Sequence, residues 1–129
     1  MTDAPGRVGG IDSHKDTIHV AVITDIGQHV DDKEFPTTQA GYRRAVAWLI
    51  GLGPLGAVGV EGTSSYGRGI ATELTSAGIR VVEVNRTRPA ERRKQGKTDA
   101  LDAYRAARSV LSGEASTDDR QRLLIQVPQ

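Results

Sequence analysis

The first third of the chain alternates between apolar and polar positions with the two-residue period of a β-strand. Residues 7–12 predict a short first strand that ends on an aspartate. The next strand is predicted to be half-buried, with Thr17 and His19 outward and the apolar side chains inward: Ile18, Val20 and Val22. A turn at residues 24–27 then leads into a returning strand, residues 28–35. Its outward positions are charged, which is typical of an edge strand.

Three later segments change to the helical period, and each is bounded by residues that start and stop helices. A Ser or Thr near each start is a candidate cap: Thr37 or Thr38, the "TSS" at residues 63–65, and Thr98. A glycine follows each segment: Gly53, Gly78 and Gly113. The predicted buried stripes are, in chain order, Tyr42, Ala45, Val46 and Leu49; Tyr66, Ile70, Leu74 and Ala77; and Ala103, Tyr104, Ala107, Val110 and Leu111.

Short apolar runs at residues 56–61 and 79–84 predict two more strands between these helices. The predicted order is therefore β-β-β-α-β-α-β-loop-α. It indicates an α/β fold with a mixed sheet, in which the first strands are antiparallel and helices pack on the faces. We expect one compact domain over residues 7–113, a disordered lead-in at residues 1–6, and a tail or the start of an uncompleted element at residues 114–129.

Composition narrows the possible functions. The net charge of the 129 residues is only +1, so a nucleic-acid signal has to come from local charge. Cysteine is absent, which excludes disulfides, thiolate zinc sites and cysteine nucleophiles and fits a reducing cytoplasm. The three histidines lack the His-x-x-x-His spacing of helical zinc sites. There is no apolar run of about 20 residues and no signal-peptide core, so we expect a cytoplasmic protein.

Two carboxylates follow apolar runs that should be buried. Asp12 ends the first predicted strand, and Glu61 ends the fourth. Taken alone, each side chain is explained if it lies at the start of a loop and points to water. Together they favour a functional site, because sites of α/β domains lie at strand ends and a buried carboxylate needs a partner or a metal.

Asp99 and Asp102 are three residues apart, so they share one face of the last predicted helix. Acidic residues in a first turn also stabilise the helix dipole, by about 0.3–1 kcal/mol each, and this explains Asp99 better than Asp102. Arg105 and Arg108 are possible ion-pair partners on the same helix. These residues alone leave a structural and a functional role open.

Four carboxylates brought together repel one another, and a divalent cation relieves that repulsion. Mg²⁺ prefers oxygen ligands. Two such ions roughly 3.5–4 Å apart form the arrangement that cleaves phosphodiesters. We therefore expect a site for Mg²⁺, with Mn²⁺ as a substitute and two ions bound.

The chain resembles the N-terminal domain of DEDD-type transposases of bacterial insertion sequences, some of which are RNA-bridge-guided recombinases. Four stretches carry the resemblance, in the family's order, over residues 7–113: "GGIDSHKDTIHVAV", "VGVEGTSSYG", "GIRVVEVN" and "GKTDALDAYRAARSVL". The resemblance implies a RuvC-like, RNase H-like fold. It also implies that the catalytic metal ligands are Asp12, Glu61, Asp99 and Asp102.

The resemblance also implies partners. We expect DNA, a structured guide RNA, and homo-oligomerisation of the full-length protein. The family's C-terminal domain, which carries a serine thought to attack DNA, has no counterpart in these 129 residues. We therefore expect one domain of a larger protein, and the isolated domain can be inactive.

Several other residues are candidates for contacts around this site. Lys15 is a candidate for a phosphate contact, and His14, Thr63 and Ser64 are candidates for support of the site or contact with phosphate. Capping of the helix is the alternative for the Ser and Thr residues. A basic segment leads into the acidic pair and is predicted to contact a nucleic-acid backbone: Arg86, Arg88, Arg92, Arg93, Lys94 and Lys97.

Two other functions compete with a metal-dependent strand-exchange domain. A non-catalytic nucleic-acid-binding or assembly module would use the carboxylates structurally, and its binding would be sensitive to salt but not to chelators. An actin-like ATPase also opens with a strand-end aspartate, but the chain contains no Walker motif.

Overall fold

The computed structural model describes residues 6–84 and 99–113, with only the backbone of Asp99. The predicted lead-in (apart from Gly6), the basic segment and the tail lie outside these residues. The strands are β1 (Arg7–Ser13), β2 (Thr17–Ile23), β3 (His29–Pro36), β4 (Leu55–Glu61) and β5 (Val81–Val84). The helices are α1 (Gln39–Gly51), α2 (Arg68–Ser76) and α3 (Asp99–Ser112). Within the described residues the predicted order of strands and helices is confirmed, and the loop predicted before the last helix lies outside them.

The described strands form one mixed sheet in the order β3-β2-β1-β4-β5. The pairs β1/β2 and β2/β3 are antiparallel, whereas β1/β4 and β4/β5 are parallel. The first three strands are therefore a meander, and the chain then crosses twice through helices to extend the sheet beside β1. The predicted mixed sheet with antiparallel first strands is confirmed.

The face of the sheet under α1 and α2 holds the larger core. Alternate strand residues, such as Ile11, Val20 and Val60, pack there against both helices. The predicted stripe of α1 is buried. Its N-cap is Thr38, whose side chain accepts a hydrogen bond from the backbone N–H of Gly41 at 3.0 Å. The prediction for α1 is therefore confirmed.

The prediction for α2 was partly wrong. Ile70 and Leu74 are buried as expected, but Tyr66 is 49% exposed and Ala77 is exposed. Residues 62–67 form a turn in which the N–H of Gly67 donates to the carbonyl of Gly62, so the helix begins only at Arg68 and Tyr66 lies outside its helical phase. Gly67 is the N-cap and provides no side-chain cap, so the predicted Ser or Thr cap is wrong.

α3 covers the opposite face of the sheet, and its backbone lies directly on two strand glycines. A Cβ at Gly10 would overlap the carbonyl oxygen of Ala103 and the nitrogen of Ala107. A Cβ at Gly59 would lie 2.6 Å from Val110 Cγ2 and 3.0 Å from the carbonyl oxygen of Ala106. Glycine is therefore required at both positions for this close approach.

This packing corrects two predictions. β2 is buried on both faces rather than one, because Ala21 and Ile23 pack under α3 with Ala103 and Ala107. Leu111, predicted to point inward, is 38% exposed, whereas its neighbour Val110 packs against the sheet. The predicted cap Thr98 lies outside the described residues. Gly113 follows the helix with a positive φ of 83°, as its prediction as a terminator requires.

None of the helices in the described part of the chain is long and apolar enough to cross a membrane.

Candidate active site

Two carboxylates lie side by side at the ends of adjacent parallel strands. In the β1/β4 register Ile11 faces Val60, so Asp12 and Glu61 follow as the next neighbours on the two strands. Ile11 and Val60 belong to the core under α1 and α2, so the alternation of side chains directs both carboxylates to the α3 face. Asp12 is 2% exposed and Glu61 is 4% exposed. The sheet therefore concentrates two buried acidic side chains beneath the start of α3.

α3 brings a third acidic residue toward this end of the sheet. Val110 packs on Ala57 and Gly59, and Ala106 lies over Gly59, so the helix runs antiparallel to β4. Asp102 lies one turn before Ala106, in the direction of Glu61. The first residue of α3 is Asp99, whose side chain lies outside the described structure.

The ion pair expected on α3 forms for one of the two arginines. Arg105 Nη1 donates to Asp102 Oδ1 at 3.2 Å. Arg108 instead donates from Nη1 to Nε2 of His29 on β3, at 3.3 Å. Asp102 therefore has a structural partner on its own helix in addition to any role at the strand ends.

The donor chemistry at the strand ends suits a hard cation, because carboxylate oxygens are the ligands that Mg²⁺ prefers. Among residues 6–84 and 99–113, however, no three or more His, Asp or Glu side chains are grouped closely enough to hold a metal ion. Asp12 and Glu61 end adjacent strands, and Asp102 lies on α3 one turn before the residue that packs over Gly59.

The supporting residues predicted beside the site have different surroundings. His14 is half-buried, and its Nε2 donates to Asp12 Oδ2 at 2.7 Å. Lys15 is exposed in the turn after β1. Thr63 and Ser64 lie in the turn that follows Glu61, with Ser64 exposed. The predicted phosphate contacts in the basic segment, from Arg86 to Lys97, lie outside the described residues.

Comparison with known proteins decides the family. The sequence model of the DEDD transposases of the IS110 group, described as a transposase family, matches residues 9–123, most of the chain. The chain belongs to this transposase family. No curated protein matched the sequence.

Solved structures show the fold of this transposase domain. The Holliday junction resolvase of fowlpox virus is similar with a TM-score of 0.51 and 13% identity, over 74% of this chain and 72% of that one. RuvC of Thermus thermophilus has a TM-score of 0.48 and 15% identity, and the match covers 61% of each chain. The chain thus spans less than two thirds of the RuvC structure. The expected RuvC-like, RNase H-like fold is confirmed.

Ser13 is a supporting residue of the transposase domain that the sequence analysis missed. It is fully buried, and its Oγ donates to the carbonyl oxygen of Glu61 at 2.8 Å. This bond ties the ends of β1 and β4 together and so fixes the spacing of the strands that carry the two carboxylates. The only sequence signal was a polar residue placed in phase with the apolar core positions of β1.

A second missed feature is a chain of hydrogen bonds across β2, β3 and α3. His19 Nε2 donates to Asp32 Oδ2 at 2.6 Å, and the Tyr104 hydroxyl donates to Asp32 Oδ1 at 3.0 Å. His19 is the cross-strand partner of Asp12, so the chain begins beside the acidic pair. We call these three residues the His19–Asp32–Tyr104 chain.

The His19–Asp32–Tyr104 chain shifts the acidity of two of its members. Burial opposes ionisation of Asp32, but hydrogen bonds from His19 and Tyr104, and the electrostatic attraction of the two nearby histidine rings, together outweigh burial and lower the pKa of Asp32. For Tyr104, burial and then the hydrogen bond to Asp32 raise the pKa from 10.0 to about 12. Tyr104 therefore stays a neutral donor to an ionised carboxylate.

The transposase domain should lose stability in alkali through Tyr104. A raised pKa stabilises the folded state fully below the unfolded value of 10.0, and this contribution is lost as the pH rises toward 12. In a tyrosinate absorbance titration, the difference between the wild type and Tyr104→Phe should show a group that ionises near pH 12. Asp32→Asn should move that ionisation to lower pH. A difference curve centred near pH 10 would contradict the raised pKa of Tyr104, and an ionisation unchanged by Asp32→Asn would contradict the role given to Asp32.

Proposed function

We propose that this chain is the N-terminal catalytic domain of an insertion-sequence transposase, which uses Mg²⁺ to cleave and exchange DNA strands during transposition. In this proposal residues 7–113 form the catalytic unit, and Asp12, Glu61, Asp99 and Asp102 hold two ions. The observation that carries the proposal is the pair of buried carboxylates, Asp12 and Glu61, on adjacent parallel strand ends of a transposase-family chain.

The residues around the pair have separate roles in this proposal. Asp12 and Glu61 supply oxygen ligands from the sheet, and Asp99 and Asp102 supply ligands from α3. Cations held by these residues would supply activation of the attacking oxygen and stabilisation of the leaving oxygen of the phosphodiester. His14 orients Asp12 through the hydrogen bond to Oδ2, as partners behind metal ligands commonly do.

Substrate contacts are assigned to the basic residues. Lys15 and the arginines and lysines from Arg86 to Lys97 would bind phosphates of DNA and of a guide RNA. The chain has a net charge of only +1, so the positive charge clustered in this segment is what would attract phosphate. The fowlpox virus protein of similar fold is a Holliday junction resolvase, which is consistent with a branched DNA substrate here. A homo-oligomer and a C-terminal serine-bearing domain would complete the recombinase.

The proposal is tested by Asp12→Asn, which keeps the shape of the side chain and removes its charge. Isothermal titration calorimetry with Mn²⁺ should show binding to the wild type and a loss of about 100-fold or more in affinity in the variant. The control is Asp16→Asn, the same change at an exposed position four residues away. It should bind Mn²⁺ as the wild type does. Equal titrations for Asp12→Asn and the wild type would reject the carboxylate site.

DNA binding separates catalysis from a purely binding role. In the proposed function, addition of Mn²⁺ tightens binding of branched DNA by the wild type, and EDTA reverses this effect. Salt-sensitive binding that is unchanged by Mn²⁺ and EDTA would instead support a non-catalytic nucleic-acid-binding module.

A further inference from the structure

The middle of α3 contacts the sheet through small side chains. Its buried side chains over β1 and β4 are alanines, and the strands beneath contribute glycines: Ala103, Ala106 and Ala107 over Gly10 and Gly59. Small side chains allow close approach, but they interlock little, so this contact resists sliding or rotation of the helix only weakly. Val110 packs on Ala57 and Gly59 near the end of α3, so it is the position of the beginning of the helix that has to be fixed by other contacts.

Tyr104 is the large side chain on the sheet-facing side of α3, and it is held on two sides. Its hydroxyl donates to Asp32 Oδ1 at 3.0 Å. Its ring stacks on His29, with centroids 3.6 Å apart and planes 6° from parallel. Arg108, one turn further along α3, contacts the same histidine at 3.3 Å. Tyr104 therefore holds α3 against the edge strand β3 at one defined position along the helix axis.

These contacts connect both parts of the acidic site. Tyr104 lies two residues after Asp102 on α3, so a shift of Tyr104 moves Asp102 with it. At the other end of the His19–Asp32–Tyr104 chain, His19 is the cross-strand partner of Asp12. The His19–Asp32–Tyr104 chain thus links β2, which pairs with the strand that carries Asp12, to the helix that carries Asp99 and Asp102.

We propose that Tyr104 and Asp32 are positioning residues that set the register of α3 over the sheet and so determine how tightly the acidic site holds its divalent cation. This inference rests on the proposed function. Neither residue needs to touch the cation or the DNA. They act by setting the position of α3, and with it Asp102, and by holding His19 on the strand beside Asp12.

The test uses Tyr104→Phe in the 129-residue chain, which removes one hydroxyl and keeps the ring stacked on His29. Calorimetry with Mn²⁺ should show affinity weakened about tenfold, the lower range for loss of a residue that supports metal ligands. Without metal, amide hydrogen exchange in the first two turns of α3 should be about tenfold faster, because the helix end opens locally more often. Exchange in α1 should not change.

Tyr42→Phe is the matched control, because it also removes the hydroxyl of a buried tyrosine but lies on the opposite face of the sheet. It should leave Mn²⁺ affinity and α3 exchange unchanged. A double-mutant cycle adds Asp32→Ala. Combining it with Tyr104→Phe should weaken Mn²⁺ binding no further than Asp32→Ala alone, since both variants break the same bond.

The outcomes separate this inference from the proposed function. If the wild type binds no Mn²⁺, the proposed function fails and with it the metal part of the inference. Unchanged exchange in α3 of Tyr104→Phe overturns the positioning role whether or not metal binds. Wild-type Mn²⁺ affinity in Tyr104→Phe, or equal losses in Tyr42→Phe, overturns the link to the site.

Discussion

Replacing Gly10 with alanine is expected to lower the free energy of unfolding by about 3 kcal/mol and to push α3 away from the sheet. The added Cβ would overlap the carbonyl oxygen of Ala103 and the backbone of Ala107. Neither group belongs to a flexible side chain, so the strain is relieved only if the helix moves. Urea denaturation followed by circular dichroism measures the loss, and hydrogen exchange locates it in α3.

Gly56→Ala is the control, because Gly56 also lies in a strand of the same sheet. Its Cβ would meet only the carbonyl oxygen of Arg7, at an ordinary 3.7 Å. This variant should change stability by less than about 0.5 kcal/mol, as surface substitutions usually do. Equal stabilities of the two variants would show that α3 does not rest on Gly10 as closely as the structure indicates.

The glycines explain how the site is built from short sequence patterns. Gly10 stands two residues before Asp12, and Gly59 stands two residues before Glu61, so each glycine shares a sheet face with the carboxylate that follows it. The glycine lets the helix backbone approach, and the carboxylate extends just past that contact. The pattern glycine–apolar–acidic, present in both strands as "GID" and "GVE", is therefore a local signal of this arrangement.

Periodicity predicted the strands, α1 and the order of elements, because each depends on a pattern within a few residues. It failed where a distant element decided burial. Alternation alone gave β2 one buried face, but α3, which begins 76 residues after Ile23, covers Ala21 and Ile23. The start of α2 was also misplaced, since the turn at Gly62 and Gly67 depends on backbone hydrogen bonds that side-chain patterns do not encode.

The acidic pair could be found in the sequence because both members end apolar runs. The His19–Asp32–Tyr104 chain could not, because its longest contact joins residues 72 apart and its members look like ordinary surface residues of a strand and a core tyrosine. Only the packing of α3 across β1, β2 and β3 brings them together. The candidate metal ligands were visible in local patterns, whereas the contacts around them required the fold.

Replacing Glu61 with glutamine is expected to produce two effects of opposite sign. Without metal, the free energy of unfolding should rise by about 1 kcal/mol, because removal of one charge relieves the repulsion between two buried, neighbouring carboxylates. With Mn²⁺ at about 100 times the wild-type Kd, the wild type should gain about 2.7 kcal/mol of stability, whereas the variant should gain almost none. Thermal unfolding with and without Mn²⁺ measures both effects.

Glu34→Gln makes the same chemical change at an exposed position on the edge strand β3. It should leave both the metal-free stability and the gain with Mn²⁺ close to wild type. If the role of Glu61 is purely structural, the opposite results are expected for Glu61→Gln: a lower metal-free stability and an unchanged gain with Mn²⁺. The sign of the metal-free change thus distinguishes a residue kept for folding from one whose charge destabilises the empty protein and is used to bind a cation.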